Sequence, residues 1–242
     1  MTTFRSRIIQ CASCKLKMYT LELTPFTVHS SVVYSDGLVE NNPPTLLNQK
    51  ILVCHDCYKP IWREDVFVDD SGDSYDELPQ AHDIYDLPFA FDSDFSNKLV
   101  GYYNNLLEEG FADSLQREIY IRINIWQLLN NSKRNKVDTN VYDKIRSNIK
   151  GVIGNTKSAF TIETDKDNND LIFRNNLEKL INIYNPSCDA EQLLLAEMYR
   201  ELGNFEEAEL QLIKVDNKVS SSVYKQIKKL NNNKKTKVTL LT

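Results

Sequence analysis

The chain is predicted to be α+β, with a small antiparallel ribbon organised by a metal ion first and an all-helical domain after it. Three observations predict this. Two Cys-x-x-Cys knuckles, Cys11-Ala12-Ser13-Cys14 and Cys54-His55-Asp56-Cys57, lie near the N-terminus. Between them apolar residues alternate with the two-residue period of strands, and beyond residue 94 they recur every three or four residues, the period of helices.

The knuckles carry the strongest chemical signal. Two thiolates two residues apart grip one ion from a single tight turn, and two such turns complete the tetrahedral four-sulfur shell that zinc prefers. Cys11, Cys14, Cys54 and Cys57 are therefore the expected ligands of one structural zinc, because a closed shell leaves no position for water or substrate. An iron-sulfur centre or redox pair is the alternative, but a redox dithiol accounts for one knuckle and not for two. Disulfides would need an oxidising compartment, and Met1–Arg7 opens no apolar core followed by a small-residue cleavage site. His55, inside the second knuckle, reads as an exposed imidazole. Cys188, in Asn185-Pro186-Ser187-Cys188-Asp189, reads as a lone thiol at a helix start, since no base accompanies it in sequence.

Residues 1–70 form the expected ribbon. Phe26, Val28, Ser30, Val32 and Tyr34 alternate with Thr27, His29, Ser31 and Val33, and Ser35-Asp36-Gly37 supplies a turn. His29 falls on the face opposite Phe26 and Val32 and is expected to be exposed. Ile51-Leu52-Val53 leads into the second knuckle; Ile61-Trp62 and Val66-Phe67-Val68 lead out. Such a sheet has too little core of its own, and the metal is expected to supply the missing stability.

Residues 71–93 read as an acidic connector. From Glu64 to Asp94 there are eleven carboxylates and no Lys or Arg. Pro79 and Pro88 break any helix, while Tyr75, Tyr85, Phe89 and Phe91 suggest partial order along a neighbouring surface.

The helical domain is expected over 94–230. Phe95, Leu99, Tyr102 and Leu106 mark a helix that stops at Gly110. From Ser114 to Asn130, Leu115, Ile119, Ile123 and Trp126 form one face and Ile121, Ile125 and Leu128 another, so this helix belongs at the centre of a bundle with Trp126 in its core. Val141, Ile145 and Ile149 mark a shorter helix ending near Gly151 and Gly154. Leu177, Leu180, Ile181 and Tyr184 mark another that ends before Pro186.

In the stretch 193–212, Leu195, Ala196, Tyr199, Gly203, Phe205 and Ala208 stand where the tetratricopeptide pattern places leucine, a small residue, tyrosine, glycine, an aromatic and alanine. No second copy follows at that period, so the hairpin is expected to pack on the preceding helices. With Tyr34-Ser35-Asp36-Gly37, Cys54-His55-Asp56-Cys57 followed by Trp62, Arg122-Ile123-Asn124-Ile125-Trp126 and 195–203, the chain resembles uncharacterised bacterial proteins that pair an N-terminal zinc ribbon with a C-terminal tetratricopeptide-like region. The resemblance spans nearly the whole chain and implies a fold and no activity. The chain departs from it at Lys15 and Tyr58, where such knuckles often carry glycine.

The net charge is −5 and the pI near 5.4, which disfavours sequence-independent attraction to nucleic acid. The charge is polarised, because eight lysines follow from Lys214 onward against one acid, Asp216. Residues 231–242 are thus a basic tail, solvated or docked on the acidic connector. No catalytic constellation emerges: Gly151-Val152-Ile153-Gly154-Asn155-Thr156-Lys157 lacks phosphate-loop spacing, and His29, His55 and His82 make no helix-spaced metal pair. The expectation is a non-catalytic, zinc-containing protein-interaction module or adaptor of the bacterial cytoplasm, with a protein partner and no membrane. The alternative is an RNA- or ribosome-associated protein that uses the ribbon and basic tail.

Overall fold

The computed structural model describes residues 4–23, 30–42, 50–66, 77–83, 95–131, 134, 166–216 and 221–241. The start of the alternating stretch with His29, most of the acidic connector, the helix expected around Val141–Ile149 and the glycines at 151 and 154 lie outside them. Two compact units emerge, one from Met1–Val32 with Val39–Lys98, the other from Val33–Leu38 with Leu99–Thr242. The architecture is α+β: small antiparallel strands with a cysteine cluster, then a helical region with six helices among the described residues.

The first unit is built from hairpins. Phe4–Gln10 (β1) and Lys17–Leu23 (β2) pair antiparallel along their whole length, from Phe4 opposite Leu23 to Gln10 opposite Lys17. Ser30–Tyr34 (β3) and Val39–Asn42 (β4) follow. Ile51–Val53 (β5) pairs with Pro60–Trp62 (β6) on one side and with His82–Asp83 (β7) on the other. A bridge between Tyr19 and Gln80 ties β2 to the segment leading into β7, through Tyr19 N–H to Pro79 O at 3.0 Å and Ala81 N–H to Tyr19 O at 2.8 Å. One core cluster gathers Ile9, Cys11, Met18, Leu52, Cys54, Ile61, Val66 and Ala81, with Leu16 and Cys57 against it, and Ile8, Ile51, Val53 and Trp62 are buried as well. Two cysteines, Cys11 and Cys54, thus stand among the aliphatic residues of this core.

The helices start with Phe95–Glu108 (α1), which buries Leu99, Val100, Tyr103 and Leu106 and turns at Gly110, φ 72°. Leu115–Asn130 (α2) starts at Ser114, whose hydroxyl accepts from the Arg117 N–H at 3.4 Å and so satisfies one of the free amides of the first turn. Its buried stripe is Ile121, Ile125, Trp126 and Leu129, whereas Leu115 is half exposed. The second of the two faces expected from sequence is therefore the core face, with Trp126 joining it. Lys166–Ile183 (α3) packs on α2 and buries Phe173, Leu177 and Leu180.

Asp189–Glu201 (α4) and Phe205–Ile213 (α5) form the expected helical hairpin, turning at Gly203 with φ 83°. Ala196 and Ala208 are fully buried, and the absence of larger side chains there lets the helices approach. Ser221–Asn232 (α6) closes on α5, so that Leu193, Ala196, Leu212, Val215, Tyr224 and Ile227 make one cluster. Leu240–Leu241 (β8) ends the unit by pairing with Tyr34 and Val33.

The basic tail is anchored by its backbone while Lys234, Lys235 and Lys237 stay exposed. Val238 is buried, Thr239 N–H donates to Ser35 Oγ at 3.0 Å, and Ser35 N–H donates to Thr239 O at 2.8 Å. Arg200 reaches the same stretch, donating to the carbonyls of Lys235 and Lys237.

Candidate metal centre

Each knuckle closes a hairpin, the first between β1 and β2 and the second between β5 and β6. Cys11 N–H donates to Leu16 O at 2.9 Å, and Cys54 N–H donates to Lys59 O at 3.0 Å, so both turns are pinned by the same bond five residues on. The residue after each second cysteine adopts the left-handed conformation, Lys15 at φ 64° and Tyr58 at φ 54°. Glycine reaches this region without steric cost and other residues pay about 1–2 kcal/mol. The two departures noted in the sequence thus preserve the turn geometry at the expense of local strain.

The turns aim amide groups at sulfur. The N–H groups of Cys14 and Ser13 face Cys11, those of Cys57 and Asp56 face Cys54, and that of Leu16 faces Cys14. Such donors stabilise thiolate over thiol.

All four sequence-predicted ligands converge. Cys11 Sγ lies 3.7 Å from Cys57 Sγ and Cys14 Sγ lies 3.5 Å from Cys54 Sγ, so the close pairs run between knuckles. The four sulfurs all lie within 4.8 Å of one another. A tetrahedron with metal–sulfur bonds of about 2.3 Å has edges of about 3.8 Å, so the cage suits one ion of that size. A disulfide would bring two sulfurs to about 2.0 Å, and all four cysteines are free thiols.

The electrostatics of the cluster call for a cation. Burial raises Cys11, but the amides of Cys14 and Ser13 outweigh it and bring the thiol down to about 7. Burial dominates at Cys54, and with the neighbouring sulfurs of Cys14 and Cys57 it pushes that thiol up to about 12. Four thiolates this close repel one another, so an ion at the centre is what allows all four to ionise together.

Around the second knuckle, His55 is exposed as expected, and its N–H donates to Met18 Sδ at 3.3 Å. Its ring stacks on His82 with centroids 4.8 Å apart, and Tyr58 stacks on His82 at 5.8 Å. The register of β5 with β7, which sets Val53 opposite His82, brings these rings together; nothing in the local sequence signals it. Cys188 is exposed at the N-cap of α4, away from any second cysteine among the described residues. Comparison with protein families, with curated proteins and with solved structures found no match to this chain.

Proposed function

We propose that the chain is a non-catalytic interaction module or adaptor of the bacterial cytoplasm, its ribbon held by a structural zinc at Cys11, Cys14, Cys54 and Cys57. The observation that carries this reading is the closed four-thiol cage: with every coordination position taken by protein sulfur, the ion organises a surface and has no site for a substrate. Zinc suits the cage because it has no redox chemistry to disturb and favours tetrahedral thiolate. On the helical unit, Leu210 and Ile213 stand in water on α5, 52% and 68% exposed, and apolar side chains so placed on a helical hairpin favour a protein partner. Among the described residues no helix is long and apolar enough to cross a membrane.

A second reading, contact with RNA or the ribosome, is favoured by one observation. Lys225, Lys229, Lys234, Lys235 and Lys237 are all exposed on α6 and the anchored segment after it, a cationic strip on a fixed backbone. The two readings separate in a tagged pull-down from native cells with mass spectrometry, run with and without nuclease. One stoichiometric protein retained after nuclease supports the adaptor; ribosomal proteins lost on nuclease support the alternative. In the latter case RNA affinity should fall steeply with salt, because each lysine–phosphate contact releases condensed counterions. It should also disappear when Lys225, Lys228, Lys229, Lys234, Lys235 and Lys237 are changed to Gln.

A further inference from the structure

Among the described residues, the helical unit encloses a polar cluster whose charges do not balance. Asp36 from the turn after β3, and Glu197 and Glu201 from α4, bring three carboxyl groups; Arg134 and Arg200 bring two guanidiniums. All five side chains are at most 5% exposed, so water does not make up the difference.

The pairing leaves one carboxyl over. Arg200 takes Glu197, with Nε to Oε2 at 2.7 Å and Nη2 to Oε1 completing a fork. Arg134 takes Asp36. Glu201 is left with Arg200 Nη2 at 3.8 Å, beyond hydrogen-bond reach, and with two neutral donors: Trp126 Nε1 at 2.9 Å and Asn130 Nδ2 at 3.0 Å, both to Oε2. The same Asn130 Nδ2 donates to Asp36 Oδ2 at 3.1 Å, so one amide bridges two carboxyls, while Asn130 Oδ1 is buried without a donor. A carboxylate this dry, lacking a cation of its own, is far costlier than the neutral acid.

We propose that Glu201 carries a proton in the folded protein at neutral pH, so that the helical unit takes up one proton as it folds and loosens as pH rises. The groups that face it are Glu197 and Arg200 on its own helix, Trp126 and Asn130 on α2, Arg134 beyond α2, and Asp36 in the turn after β3. Burial, reinforced by the charge of Glu197, pushes Glu201 up to about 8 from an ordinary 4.5. Burial raises Asp36 as well, although Arg134 opposes it. For a raised carboxyl the folded state holds a proton that the unfolded state has lost, so stability is greatest below the unfolded value and falls as pH climbs to the folded one. Within that window, from about 4.5 to 8, one proton changes the unfolding equilibrium about tenfold per pH unit. The effect reaches the tail as well, because Arg200 also donates to the carbonyls of Lys235 and Lys237.

The test uses the full-length, zinc-loaded chain. Urea unfolding, followed by the helical circular-dichroism signal between pH 5 and pH 8, compares the wild type with Glu201→Gln, which keeps the acceptor for Trp126 and has nothing to protonate. The wild-type unfolding constant should rise about tenfold per pH unit more steeply than that of the variant. Infrared spectra of protein carrying carbon-13 glutamate should show a protonated carboxyl band at pH 7 that fades above pH 8. Parallel pH profiles, or only ionised carboxylate at pH 7, would overturn the proposal. Should Glu201→Gln fail to fold, the infrared band of the wild type decides alone.

Discussion

Gly37 and Lys15 occupy the same left-handed region with opposite consequences. Gly37, at φ 78°, leads out of the turn that carries Asp36, and a β-carbon there would sit 2.9 Å from Leu194 Cδ1. Gly37→Ala adds the left-handed penalty to that close contact, and urea titration should show the helical unit destabilised by about 1–2 kcal/mol. At Lys15 the penalty is already present, so Lys15→Gly should stabilise the ribbon by about 0.5–1 kcal/mol, the strain relieved exceeding the entropy that glycine adds to the unfolded chain. Competition with a chelator would read this as slower metal loss; an unchanged rate would show that the turn is not strained. Tyr58→Gly is the less informative change, because it also removes a ring stacked on His82. The absence of glycine after each knuckle is legible in sequence, but the backbone angle that gives it a cost is not. The convergence of the four cysteines is legible in sequence, because Cys-x-x-Cys spacing encodes a bidentate turn without reference to the rest of the fold.

Among the elements, those with a clear period and a stop were legible: α1 ending toward Gly110, α3 ending before Pro186, and the α4–α5 hairpin turning at Gly203. On α2 the period is legible but the buried face is not, since isoleucines mark both sides and only tertiary packing buries Ile121 and Ile125. β1 was hidden for a different reason. Phe4-Arg5-Ser6-Arg7-Ile8-Ile9-Gln10 places its two buried isoleucines side by side, so no alternation announces a strand. The polar cluster is equally hidden, because nothing local to Glu197, Arg200 and Glu201 announces Asp36 and Asn130, which arrive from far along the chain. At the hairpin, Ala196 is fully buried in the cluster of Leu193, Leu212, Val215 and Ile227. Ala196→Leu should cost about 1–3 kcal/mol through overpacking, seen as a lower melting temperature of the helical signal. An unchanged melting temperature would mean that α4 and α5 do not need their close approach.

For the whole molecule, metal is the sharpest probe. Elemental analysis of protein purified without chelator should find one zinc per chain. Cys54→Ser or chelation should unfold the ribbon, since a structural zinc contributes on the order of 10 kcal/mol and two of the proposed ligands, Cys11 and Cys54, sit in its core. Most of the helical circular-dichroism signal should survive, because the helices draw on a separate core. Equal loss of both signals would show that the two units do not stand on separate cores. The anchored tail has a kinetic corollary. Ser35 and Thr239 exchange hydrogen bonds across 204 positions of sequence, so the helical unit closes one very long loop, with the second knuckle inside it and the first ahead of it. Loops of that length close slowly and reward the chain only at the end. During synthesis, α1 to α5 can form while the turn at 35–37 waits for a partner that leaves the ribosome some 200 residues later. The nascent ribbon, whose ligands are all present once Cys57 has emerged, can load its ion long before the helical unit is complete.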